Sequence, residues 1–375
     1  MTLNLDHDVR IKVNFTTRDG TQDFITLEEF DSREAFMELA QISRRVTMHD
    51  TADVIFRIFA KVANKEAKLS EISKKLPCLK GKYTDIFSNI FNRPEIAAEV
   101  TRYNSTTDKN VKRKIRNNIS KILIPEVEQN VAYDDLYFNF TKFRFGSPSE
   151  NKSLKQKFKE AKTTAEALLW GLKTKDKFSI AIIQLFKENI SKRTEKSRKS
   201  YWLLVRDSKG KLIGMTFISA AKLKDKLTGE NIIGHSGQIL DPSVQGRGYV
   251  SVIKSAMIDF LYDNMDEATA EECLFATTCN ELNENSQGLQ YKSGAKPLTD
   301  KYGRLVVDAD KIHWYATKDD IMNSEIMKQC IERNVSYEVS PILLPGKQLA
   351  YRKFVGRKKR EILNNEQIKE TSYDR

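Results

Sequence analysis

The chain has 375 residues, 40% apolar and 30% charged, with 8 Pro and 16 Gly, which excludes collagen-like and broadly disordered chains and suits roughly two to three globular domains. Lysine and arginine total 63 against 51 acids, a formal net charge of +12. Such a surplus attracts polyanions: nucleic acid, anionic lipid or phosphorylated cofactors.

In chain order, residues 10–17 place Ile11, Val13 and Phe15 on one face, Asp19-Gly20 offers a turn, and residues 24–27 return. This predicts a β-hairpin. From Ser32 to about Leu76 the apolar spacing is helical (Phe36, Leu39, Ala40, then Val54, Ile55, Ile58, Phe59, Val62). Residues 109–121 hold six basic side chains and no acid, and Pro125 then marks a change of texture. Residues 136–145 alternate like a strand, 146–149 read as a turn and cap, and 151–161 and 163–189 as helices. A basic link over 191–200 leads to a strand pair, 201–205 and 212–220. A polar loop (222–230), a short strand (235–240), a Gly-rich turn and an amphipathic helix (250–265) follow. A buried-type strand (274–278), a helix (285–292) and a last strand pair (305–308, 313–316) complete an α/β pattern across about 135–320.

No window approaches the ~18 consecutive apolar residues of a membrane-spanning helix. The opening residues lack the basic-then-apolar layout of a secretory signal. Cys78, Cys273, Cys279 and Cys330 are scattered and form no C-x-x-C. Free thiols in a reducing, cytoplasmic setting are expected, and no metal site.

The chemistry concentrates in Gln245-Gly246-Arg247-Gly248-Tyr249-Val250, between a strand and a helix. There, backbone N–H groups at a helix N-terminus can cradle phosphate, and glycines let the anion approach. No Gly-Lys-Ser/Thr follows, so this is not a P-loop. Ser251 stands where a dinucleotide-binding G-x-G-x-x-G needs its third glycine.

The run Gln-x-x-Gly-x-Gly/Ala after a strand ending in Leu240-Asp241-Pro242 resembles the coenzyme A pyrophosphate loop of the GNAT N-acetyltransferases. Downstream, Asn283-Glu284-Asn285-Ser286, then Leu289, then Lys292-Ser293-Gly294-Ala295, is similar to that superfamily's second motif. The Asn-x-x-Ser form resembles the branch of ribosomal-protein N-terminal acetyltransferases. The resemblance covers roughly half of the chain. It implies a mixed, mostly antiparallel central sheet flanked by helices (α/β, or α+β), with acetyl-CoA as co-substrate. Gln245, Gly246, Arg247, Gly248, Tyr249 and Val250 would hold the pyrophosphate. The sixth position is usually Gly or Ala, and the branched Val250 is expected to crowd the anion. The amide of Ile239 or Leu240 would face the thioester, Asn283 would bond the pantetheine arm or cap its helix, and Ser286 would lie near the sulfur. Where many relatives carry a general-acid Tyr, this chain has Gln290, with Tyr291 one place later.

Acyl transfer to an amine also needs a base with a pKa near the working pH. His235, on the strand leading to the loop and ten residues before Gln245, is the candidate, with Asp241 weaker and more naturally a turn residue. Cys279 is expected to be a buried thiol, and His313 and Trp314 packing residues. The basic runs 109–121, 192–199 and 347–360, the last containing Arg357-Lys358-Lys359-Arg360, suit solvated faces, nucleic acid or an acidic partner.

The reading is an acetyl-CoA-dependent N-acetyltransferase acting on a protein N-terminus, a lysine or a small amine by direct attack. Its rivals are a degenerate acyl-CoA-binding module and a basic nucleic-acid-binding protein. The expected layout is a hairpin plus mainly helical domain over 1–130 for substrate or partner binding, the acetyltransferase domain over 131–320, and a helical, basic extension over 321–375.

Overall fold

The computed structural model describes residues 9–29, 33–74, 76–132, 135–136, 200–219, 222–233, 236–263, 267–308, 311–341 and 352–355. The helices expected over 151–161 and 163–189 lie outside these residues. So do the basic runs 192–199 and 357–360, His235, and nearly all of the 136–145 strand. The chain divides into two compact units, Met1–Ile42 with Gln184–Arg375, and Ser43–Ile183.

In the first unit the expected hairpin forms from β1 (Val9–Thr16) and β2 (Gln22–Glu29), turning at Gly20 with φ +88°. Ile11, Val13 and Phe15 bury one face against Ile25 and Leu27, as strict alternation dictates. The hairpin does not open a separate domain. It lies inside a seven-stranded antiparallel sheet. β1 pairs with β12 (Ser336–Pro341), β12 with β13 (Arg352–Val355), and β2 with β3 (Ser200–Arg206). β4 (Leu212–Ser219) and β7 (Ser236–Leu240) complete that sheet. A lone hairpin cannot cover both its edges or its apolar face, so residues on either side of the expected acetyltransferase span supply the strands. The segment expected as a helical extension over 321–375 accordingly contributes β12 and β13.

A second sheet pairs β5 (Leu223–Lys224), β6 (Asn231–Ile233), β8 (Leu274–Asn280), β11 (Lys311–Ala316) and β10 (Val307–Asp308), with β9 (Lys296–Pro297) also on β11. Only β6–β8 is parallel among these pairs. The fold is therefore α+β and mostly antiparallel.

The helix after the Gly-rich turn, α6 (Tyr249–Asp263), is not amphipathic. Lys254, Ser255 and Asp259 are buried along with its apolar residues, as in a helix packed on all sides. α7 (Glu267–Glu272) precedes β8, and α8 (Glu284–Lys292) follows it. α8 stops at Gly294, which has φ +80° and no room for a Cβ, because the Asp320 carbonyl oxygen would lie 2.1 Å away. α9 (Lys318–Met322) and α10 (Glu325–Glu332) lead to β12.

The second unit is helical: α1 (Arg33–Ala63) from Ser43 onward, α2 (Leu69–Ile72), α3 (Lys82–Phe91), α4 (Pro94–Ser105) and α5 (Lys109–Asn130). Phe59 stacks on Phe91 with ring centroids 4.2 Å apart. Asp53 bridges Arg57 at 2.9 Å and Arg116 at 2.7 Å. Pro125 is not a boundary, because α5 runs through it. A proline forfeits one helical donor, and burial of Leu123 and Val127 beside it outweighs that loss.

Candidate functional site

Residues 231–240 pass from one sheet to the other. β6 pairs with β8, Ile233 opposite Phe275, whereas β7 pairs with β4, Met215 opposite Ile239. Among the described residues β7 and β8 share no ladder. His235 lies outside the described residues.

Backbone alternation separates the two amides of which one was expected to face the thioester. The N–H of Asp241 donates to the Ile213 carbonyl on β4 at 2.8 Å. In an antiparallel ladder N–H directions alternate, so Ile239 also faces β4 and Leu240 points away from it. The Leu240 carbonyl agrees, accepting from Gln245 Nε2 at 3.3 Å. Asp241 is the turn residue expected: its Oδ1 accepts from the Ser243 N–H at 2.9 Å.

The Gly-rich turn opens α6 as expected. Gly246 has φ +78° and nothing within 4 Å of where a Cβ would stand, and Gly248 has φ +84°. Arg247 is exposed. Tyr249 packs edge-on against Phe15 at 5.8 Å, and its hydroxyl reaches Asp23 Oδ2 at 3.5 Å. Burial, then the Asp23 charge, raises its pKa. Val250, expected to crowd the anion, is half-buried and packs against the core. The first-turn N–H groups of a helix have no intrahelical acceptor, and here they follow two glycines.

One residue holding this turn was not anticipated. Arg333, the C-cap of α10, donates from Nε to the Thr16 carbonyl at 2.8 Å and from Nη1 to the Gly248 carbonyl at 3.2 Å. Its guanidinium lies 5.1 Å from the Phe15 ring centroid, and burial lowers its pKa. It ties the β1–β2 hairpin to the turn. No local pattern announces it, because its partners are backbone atoms far away in sequence.

Asn283 caps α8, its Oδ1 accepting the Ser286 N–H at 3.0 Å. Cys279, at the end of β8, accepts from Trp314 Nε1 at 3.0 Å. Burial pushes the Cys279 thiol up to about 11, so it is a protonated thiol, not a nucleophile. Gln290 Oε1 accepts from Lys254 Nζ at 2.6 Å. Lys254 is fully buried, and loss of solvation lowers its pKa to about 7. A lysine with Val250, Met257 and Ile258 three or four places away was the available signal, yet it reads most simply as one polar position on an amphipathic helix. Trp314 is buried as expected. His313 is half-buried, with Nε2 3.8 Å from Asp308 Oδ2. Burial lowers its pKa, opposed by Asp225 and Asp308.

Among the described residues no helix is long and apolar enough to cross a membrane. No family model matches the chain, and no curated protein does. Solved structures similar to part of it include Mycobacterium smegmatis RimJ in complex with CoA-disulfide, at 10% identity and a TM-score of 0.30 over 41% of this chain and 69% of that one. Spermidine/spermine N-acetyltransferase SpeG from Vibrio cholerae is similar at 13% identity and a TM-score of 0.27, over 38% and 77% of the two chains. The microcin C7 self-immunity acetyltransferase MccE, in complex with acetyl-CoA and AMP, is similar at 14% and 0.26, over 44% and 82%. Likeness at that level leaves the chemistry to be argued from the residues themselves.

Proposed function

We propose that the chain is an acetyl-CoA-dependent N-acyltransferase of GNAT type. The observation that carries this reading is the crossing strand, which leaves β8 at Ile233, joins β4, and ends in the Gly-rich turn with the Leu240 N–H directed away from β4. The residues present suit the co-substrate. Gly246 leaves its approach open, the amides of α6 offer a positive helix end, and Arg333 holds the turn in place. The Leu240 N–H would polarise the thioester carbonyl, a fixed donor aimed where charge develops. Asn283 sets the first turn of α8 and thereby the position of Ser286, proposed to lie near the sulfur. His235, proposed at the crossing, would take the proton of the attacking amine. A protein N-terminus, a lysine and a small amine are the acceptor classes to test.

Calorimetry with acetyl-CoA, followed by thiol release with mixed amines, tests the reading. Binding with turnover supports it, binding without turnover indicates a degenerate acyl-CoA module, and neither refutes it.

A further inference from the structure

The helical unit carries a feature that the acyltransferase reading leaves unused, the basic face of α5. The inner side of this helix buries Ile115, Ile119, Leu123 and Val127, and its inward-leaning cations are engaged. Arg116 holds Asp53 on α1 at 2.7 Å. Lys112 lies 5.0 Å from the ring centroid of Tyr103 on α4, and that ring stands edge-on to Phe56 of α1 at 4.9 Å. Contacts to two other helices therefore hold the outer side in place.

On that outer side Asn110, Arg113, Lys114, Asn117 and Lys121 are all exposed. At helical spacing they fall within an arc of about 100° and span about 16 Å. Arg113, Lys114 and Lys121 have no carboxylate partner among the described residues. Other exposed arginines of the same unit do: Arg44 pairs with Glu128 at 3.3 Å, Arg93 with Glu126 at 3.5 Å, and Arg102 with Glu99 at 3.5 Å. Glu126 and Glu128 are the acids of α5 and lie at its far end. Asp108, at the near end, caps the helix, accepting the Asn110 N–H at 2.7 Å. The stripe between them also works against its own helix. Lys109 and Arg113 stand at a repulsive i,i+4 spacing, and asparagine is a weak helix former. Packing of the inner face keeps the helix, so folding does not account for the outer residues.

We propose that this face of α5 docks double-stranded DNA, entering the major groove with Arg113, Lys114 and Lys121 on phosphates and Asn117 between them on base edges. A helix with its side chains is about 10–12 Å across, and the B-form major groove is about 12 Å wide. Cationic side chains suit phosphates, and an asparagine amide can pair with adenine N6 and N7. An acidic protein suits the stripe less well, because protein interfaces rely on aromatic and apolar anchors and these five residues supply none. Single strands call for aromatic stacking platforms, which they also lack. α4 precedes α5 with only residues 106–108 between, the short link and helix order of helix-turn-helix readers. The inference stands independently of the acyltransferase reading.

Fluorescence anisotropy of the full-length protein with a labelled DNA duplex, over a range of salt concentrations, tests it. Wild type is compared with Arg113→Gln/Lys114→Gln/Lys121→Gln and with Lys209→Gln/Lys211→Gln/Lys226→Gln, which removes the same charge from exposed positions of the other unit. The α5 variant is expected to bind at least ten-fold more weakly. Its slope of log affinity against log salt should shrink by about three, near one per lost phosphate contact. The control should match wild type. Asn117→Ala should keep the slope and change the ranking of duplexes drawn from a random-sequence pool. Circular dichroism melts check folding; should the triple variant fail to fold, Lys114→Gln alone serves, with a slope smaller by about one. Absence of duplex binding by wild type, or equal losses in the two triple variants, would overturn the inference. So would displacement of the duplex by polyglutamate at equal charge, which indicates an acidic protein partner. Equal affinity for double-stranded RNA, whose major groove is too narrow for a helix, would overturn the groove assignment.

Discussion

Replacing Lys254 by methionine should make the protein more stable, by an amount that depends on pH. In the unfolded chain the lysine titrates at 10.5, and in the folded state at about 7. Above 10.5 both states hold it neutral and there is no penalty. As pH falls below that value the unfolded chain takes up a proton that the folded chain refuses. The folded state then loses about 1.4 kcal/mol per pH unit until the folded lysine also titrates, a total near 5 kcal/mol. Methionine has a similar length and no charge, but it leaves Gln290 Oε1 without its donor, which costs about 1–3 kcal/mol. The net expectation is a gain of about 2–4 kcal/mol at pH 7, shrinking steadily and reversing sign between about pH 8.5 and pH 10. Urea melts of both proteins at pH 6, 7, 8, 9 and 10 (roughly spanning the two titrations) would show it. A stability difference that stays constant from pH 7 to 10 would refute the reasoning, because it would mean that the buried amine is charged in the folded protein.

Gly248→Arg should weaken acetyl-CoA binding at least ten-fold, about 1.4 kcal/mol, since φ is +84° and a Cβ would stand 2.7 Å from Arg333 Nη1; calorimetry on the folded variant checks it. Gly294→Ala should destabilise by about 2 kcal/mol or more, as it combines left-handed backbone with a carbonyl oxygen 2.1 Å from the new methyl; unchanged melts would contradict this. His235→Ala should remove an ascending limb of kcat/KM, with a loss on the order of 10²–10⁴-fold, whereas Ser286→Ala should lower turnover without moving that limb. A chain beginning at residue 131 should be insoluble, because it lacks the two strands joining β12 to β3. Soluble, acetyl-CoA-binding material would count against a cooperative sheet.

What could be read from the sequence was whatever the chain decides locally. Ile11, Val13 and Phe15 announce a hairpin because a strand's period is two residues, and Gly246 and Gly248 announce a tight turn because few other residues accept positive φ. Asn283 was legible as a cap for the same reason. The partners of that hairpin were not legible, since β3 and β12 lie far along the chain and no periodicity encodes who pairs with whom. Lys254 and Arg333 escaped for a related reason. A polar side chain is classed by its neighbours in sequence, whereas its chemistry here comes from Gln290 and from the Gly248 carbonyl, supplied by elements that meet only in the folded molecule. Pro125 misled in the opposite direction, because a local rule was overridden by packing around α5.

The place of β1 has a consequence for biosynthesis. Ile11 pairs with Val339, so β1 must wait for a strand synthesised long after it before its second edge is covered. Until β12 leaves the ribosome, the hairpin presents a row of unpaired N–H and C=O groups to every neighbouring chain. Closing that contact over nearly the whole sequence is slow, as non-local pairing generally is. A nascent or prematurely terminated chain is therefore an open template for strand addition, and the segment carrying β12 acts as the latch that removes it. Stop codons shortly before residue 336 should yield aggregates held by chaperones, even though the Gly-rich turn and Ser286 have already been synthesised.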